Sequence, residues 1–163
     1  DDTLRPTGRA TSGVTGMRFR EGDSLLAMDV IDPSWVSADL FVVTEGGFAK
    51  RTNVRDYPVK GRGGLGVKVA NLVEERGDLV GALVTAPTDE VMCIMASGKV
   101  VRSAIAEVSV TGRATQGVTF AKPDDGDRII AVARNAERDL DADDSAQAPA
   151  DAVALSDDES EDQ

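Results

Sequence analysis

Apolar residues in this chain occur in short runs rich in Val, Ile, Leu and Phe, each closed by glycine or another small residue. That punctuation predicts strands and turns. "FVVTEGGFAKR" and "CIMASGKVVR" have hairpin form, with an apolar run on either side of a small-residue turn. Three further runs, "SLLAMDV", "LVGALV" and "RIIAVA", each follow a Gly-Asp pair: Gly22-Asp23, Gly77-Asp78 and Gly126-Asp127. Asp78 and Asp127 read as turn formers and not as metal ligands. "VKVANLVEERGDL" is the one stretch with some helical character, and Val69, Asn71 and Val73 make it a poor helix.

The pattern repeats. "TGRATSGV" (7–14) returns as "KGRGGLGV" (60–67) and "TGRATQGV" (111–118), so the first glycines, Gly8, Gly61 and Gly112, lie 53 and 51 residues apart. "LFVVTEGGFAKRT" (40–52) matches "VMCIMASGKVVRS" (91–103), with Gly47 over Gly98 and Arg51 over Arg102. Three units result, about 4–56, 57–107 and 108–136, and the third breaks off before its hairpin. A repeat of about 50 residues built from about four strands predicts an all-β, propeller-like array holding two to three blades.

Composition narrows the chemistry. There is no histidine and a single cysteine, Cys93, which excludes a disulfide framework or a His/Cys zinc site within the chain. Cys93 reads as a small buried hydrophobe, and no metal site is expected. No apolar run is long enough to span a bilayer. The opening "DDTLRP" resembles neither a secretion nor a targeting signal and reads as the start of a piece of a longer chain. The formal charge of −11 belongs to the end of the sequence: residues 135–163 hold eleven acidic residues and only Arg138. With 1–136 as the bladed domain, the acidic tail 137–163 is expected to be disordered. It serves either as a solubilising end or as an anionic competitor for a basic surface on the same chain.

Residues 61–66 spell Gly-x-Gly-x-x-Gly. A dinucleotide-binding turn would open a helix, whereas these glycines run into the strand-like "VKV", and the sister loops have lost the spacing. A phosphate-cradling loop would carry Lys after the last glycine, where Val67 stands. What the loops share is an arginine: Arg9, Arg62 and Arg113. A guanidinium beside glycine-exposed backbone N–H groups is a fork-shaped phosphate clamp. Repeated in every unit, it would line one edge of the array, extended by Lys60, Lys68, Lys50, Arg51, Lys99 and Arg102. Binding of this kind follows the phosphate backbone and ignores base sequence.

"GMRFREGDSLLAMDV", "GGFAKRT", "YPVKGRGGLGVKV" and "GRATQGV" resemble blade segments of the C-terminal domain of the DNA gyrase A subunit, a β-pinwheel, over residues 3 to about 136. The family's box, Gln-Arg-Arg-Gly-Gly-[Arg/Lys]-Gly, is matched at Arg62, Gly63, Gly64 and Gly66 and departs at Lys60, Gly61 and Leu65. The resemblance therefore implies a secondary, box-like loop, with the principal box upstream. It also implies a domain that wraps duplex DNA, so that the enzyme, an A2B2 heterotetramer with the B subunit, introduces negative supercoils by ATP-driven strand passage in the bacterial cytoplasm. Catalytic tyrosine, ATP and Mg would then belong to other domains or the partner subunit, no cofactor to this segment, and Tyr57 would be a packing residue. The corresponding domain of topoisomerase IV is the nearest alternative. A propeller that binds proteins is a third, disfavoured because aromatics make up only 4% of the chain.

Overall fold

In the computed structural model, which describes residues 4–135, strands β1 (Asp39–Thr44) and β2 (Phe48–Asn53) form the first hairpin. It turns on Gly46 and Gly47, and the Gly47 amide donates to the Thr44 carbonyl. Gly47 has φ +79°, and a Cβ there would lie 2.0 Å from the Ala121 carbonyl oxygen. Only glycine meets both demands. Strand β3 (Leu79–Thr85) pairs with the other side of β1, from Asp39↔Thr85 to Thr44↔Leu79, with a bulge after Val43. Strands β4 (Glu90–Met95) and β5 (Val100–Ala104) repeat the hairpin. The short β6 (Val118–Thr119) caps the outer edge of β2. Finally β7 (Ile129–Arg134) repeats the pairing of β3, down to a bulge at Met95.

The result is two antiparallel sheets, ordered β3-β1-β2-β6 and β5-β4-β7. Among the described residues there is no α-helix, and "VKVANLVEERGDL" contributes only a single 3-10 turn, Glu74–Arg76. The all-β fold class read from the repeats is the one observed. The sequence repeat and the sheet are out of phase, however. Each hairpin takes its inner strand from the unit that follows, and β2 is capped by a segment from the third unit.

This phase shift corrects one expectation. "SLLAMDV" was predicted as a strand, yet no strand forms before Asp39 among the described residues, and Leu25, Leu26, Met28, Val30 and Ile31 are exposed. The runs that do become strands, β3 and β7, pair with the hairpin of the preceding unit. The first run has no such hairpin among the described residues, and the inner edges of β1 and β4 are already occupied.

The two sheets meet through β3 and β7. A Cβ on Gly81 would stand 2.1 Å from Val132 Cγ1, so glycine permits this close approach. The core gathers Phe41, Val43, Val91, Cys93, Met95, Ile105, Val108 and Ile129, with Phe120 edge-on to Phe41 at 5.3 Å between ring centroids. Burying a side chain such as Phe41 stabilises the fold by about 2 kcal/mol. Cys93 is buried among them, its thiol pushed up to about 11 by desolvation. Asp127 forms its predicted turn and also latches the neighbouring hairpin: its carboxylate accepts from the Ser97 hydroxyl and amide and from the Arg128 amide. Those bonds hold its carboxyl below the usual range. The acidic segment 137–163 lies outside the described residues.

Candidate nucleic-acid interface

The three Gly-Arg loops share a backbone design. In each, the final glycine, Gly13, Gly66 or Gly117, adopts positive φ, at 73°, 75° and 81°. The first glycines, Gly8, Gly61 and Gly112, do not. The turn therefore depends on the sixth residue of the motif, a position the sequence marks only by recurrence. Gly117 is constrained twice, since a Cβ there would meet the Ala49 carbonyl oxygen at 2.5 Å.

The first and third loops close on themselves. The Thr11 hydroxyl donates to the Gly8 carbonyl and lies 3.1 Å from the Thr7 hydroxyl. Likewise the Thr115 hydroxyl donates to the Gly112 carbonyl and lies 3.1 Å from the Thr111 hydroxyl. The second loop has Lys60 and Gly64 at the matching places, so this clasp is missing there. Gly63, a further positive-φ glycine at 72°, replaces it, and its amide donates to the Gly16 carbonyl.

Successive loops are chained by a recurring backbone bond. The Arg18 amide, ten residues after Gly8, donates to the Gly64 carbonyl at 2.9 Å; the Asn71 amide, ten residues after Gly61, donates to the Thr115 carbonyl at 3.0 Å. The exit of each loop thus supports the next. The third loop also lies along β2, where the Thr111 amide donates to the Arg51 carbonyl and Val118 pairs with Ala49. Because β2 lies on the side of β1 away from β3, this places the loop on the outer edge of its blade.

Arg9 and Arg62 are exposed, with no ion pair among the described residues. Arg113 is half-buried, its guanidinium 5.9 Å from the centroid of the Tyr57 ring. Tyr57 is half-buried, and desolvation raises its phenol above the ordinary range. It therefore packs beneath an arginine. An open concavity of about 500 Å³ forms where the exit of the second loop meets the third, lined by Lys68, Asn71, Gly112, Arg113, Ala114 and Thr115. Two repeats contribute one cation each, and no carboxylate lines it. Lys60 is exposed on the approach to the second loop.

Of the four further residues expected on the basic stripe, two are buried and two are exposed beside carboxylates. Lys50 is only 2% exposed, and its ammonium donates to the Val69 carbonyl at 2.6 Å and to the Arg113 carbonyl. Arg51 is buried against Asp39, with Nε 3.3 Å from the carboxylate. Burial pushes the Asp39 carboxyl up, and Arg51 only partly opposes that. Arg102 repeats this pairing with Glu90 at 2.5 Å, and Lys99 meets Asp124 at 3.2 Å. Lys50 and Arg51 are thus removed from solvent, while Arg102 and Lys99 are exposed with carboxylates beside them. Cross-strand pairing explains the repeat: Asp39 and Glu90 occupy the same place at the start of each hairpin, diagonal to Arg51 and Arg102. Sequence reasoning missed Arg76. Its guanidinium lies 4.2 Å from the centroid of the Phe48 ring and donates to the Gln116 and Gly117 carbonyls, bracing the third loop.

Comparison with known proteins places the fold in a family. A family described as "DNA gyrase C-terminal domain, beta-propeller" matches residues 2–32, 38–86 and 89–135. Gyrase A subunits from Streptomyces coelicolor and Mycolicibacterium smegmatis are 53% identical over 137 residues and 45% identical over 151 residues. These alignments cover 84% and 93% of this chain but only 16% and 18% of those subunits. A solved gyrase A C-terminal domain superposes with TM-score 0.68 at 28% identity, covering 80% of this chain and 44% of that one. The C-terminal domain of DNA topoisomerase IV superposes with TM-score 0.76 at 17% identity, covering 88% and 46%, a likeness of fold alone. By sequence and fold together, the chain belongs to the DNA gyrase C-terminal domain family.

Proposed function

We propose that this chain is a DNA-wrapping segment of a gyrase A subunit, binding duplex DNA through phosphates along the outer edge of its blades. The basic notch between successive loops carries this reading, because Lys68 and Arg113 converge on a concavity lined by no carboxylate. Arg62 and Arg9, on loops chained by the same backbone bond, continue the track. Such contacts neutralise phosphates without reading bases. In the parent enzyme, the wrap would present a crossing of fixed hand to the strand-passage gate. Together with the B subunit, ATP and Mg, it would introduce negative supercoils into bacterial cytoplasmic DNA. Wrapping energy enters this cycle as a bias on which crossing is captured. The gyrase relatives at 53% and 45% identity favour this assignment over the topoisomerase IV counterpart. The chain alone needs no cofactor and performs no cleavage. Fluorescence anisotropy on two duplexes of unrelated sequence tests the reading. Equal affinities are expected, with supercoiled plasmid left intact in the same buffer; a strong preference for one sequence, or strand cleavage, overturns it.

A further inference from the structure

We infer that Lys50 is a positioning residue for the third loop, joining it to the exit of the second, and not a phosphate contact. The inference rests on the phosphate-clamp reading of Arg113. Lys50 stands on β2 with its side chain buried, and its ammonium donates to carbonyls from two repeats, Val69 and Arg113. A lysine buried to this degree cannot reach a DNA phosphate without leaving both acceptors. Its charge is satisfied instead by backbone dipoles, as a buried ammonium requires. Desolvation, assisted by the nearby Arg113 charge, pushes Lys50 below the ordinary lysine range. A phosphate arriving at Arg113 would relieve that repulsion.

The geometric consequence is direct. The carbonyl held by Lys50 belongs to Arg113 itself, so the peptide from which the guanidinium projects is fixed before DNA arrives. Asn71 secures the adjoining peptides, its side-chain amide donating to the Ala114 carbonyl and its backbone amide to the Thr115 carbonyl. Ordering completed in the free protein is not charged against binding. The matching position in the second hairpin is Val101, so the clasp is confined to the blade that carries the third loop.

The test compares Lys50→Met with Arg113→Ala in the full chain, using duplex affinity across a salt series and amide exchange in the free protein. The reporter amides are Thr111, bonded to the Arg51 carbonyl, and Asn71, bonded to the Thr115 carbonyl. Lys50→Met is expected to accelerate exchange at both and to weaken binding on the order of tenfold, comparable to loss of one charge-assisted hydrogen bond. Its salt slope should equal that of the unsubstituted chain. Arg113→Ala is expected to flatten the slope by about one and leave both amides protected. A flattened slope for Lys50→Met with unchanged exchange makes Lys50 a phosphate contact and overturns the inference. If the unsubstituted chain shows no salt dependence, the phosphate reading fails, while the exchange data still decide whether Lys50 orders the loop. If Lys50→Met does not fold, Lys50→Gln serves, since its shorter neutral amide cannot hold the Val69 and Arg113 carbonyls together; unchanged exchange at both reporter amides there overturns the inference.

Discussion

At the scale of single residues, the three arginines are not equivalent. Arg62 is exposed and has Gly61, Gly63 and Gly64 around it, so a phosphate can approach the backbone N–H groups and the guanidinium together. Arg113 instead lies over Tyr57. We expect Arg62→Ala to weaken duplex binding more than Arg9→Ala or Arg113→Ala. Arg62→Lys should recover only part of the loss, since a point charge replaces a fork. Anisotropy on one duplex at fixed salt ranks them, and a greatest loss at Arg113 would show that the shared notch outweighs the glycine loop. The sequence made these arginines legible because they recur at matched places. It could not separate them from Lys50 and Arg51, whose roles depend on burial: Lys50 faces two carbonyls and Arg51 faces Asp39.

At the scale of elements, both hairpins were readable because their apolar runs and turn glycines lie close in sequence. Choice of partner was not. Strand β3 joins a hairpin from the unit before it, a decision made by packing in the third dimension and absent from local pattern. The same limit explains why "SLLAMDV" looks like β3 and β7 yet forms no strand. The cross-strand pair of Asp39 and Arg51 gives the element-scale prediction. Asp39→Ala leaves a buried guanidinium without its counter-charge and should cost about 3 kcal/mol or more. Arg51 Nε and Nη1 make no hydrogen bond despite burial, so the pair is poorly satisfied. The double variant Asp39→Leu/Arg51→Met should therefore regain most of that stability. Urea denaturation measures both, and an equally unstable double variant would show that the charges themselves are needed.

At the scale of the whole molecule, charge is divided along the chain. Residues 4–135 hold 17 basic and 16 acidic side chains, and nearly all the net negative charge follows them. An anionic segment tethered near a basic track competes with DNA through unscreened Coulomb attraction. Deleting 137–163 should therefore tighten duplex binding at low ionic strength, with the difference fading as salt rises. Equal affinity with and without these residues would leave them a solubilising role only. The repeat also suggested the proposed track, because three Gly-Arg loops offer three stations. Its continuity was not legible, since it depends on the bonds from Arg18 to Gly64 and from Asn71 to Thr115. The most direct test of that track is the salt dependence of duplex affinity for the chain with Arg9, Arg62 and Arg113 all changed to alanine. If the three loops each neutralise one phosphate, the slope of log affinity against log salt should flatten by roughly 2.7 relative to the unsubstituted chain. An unchanged slope in a folded triple variant would contradict it.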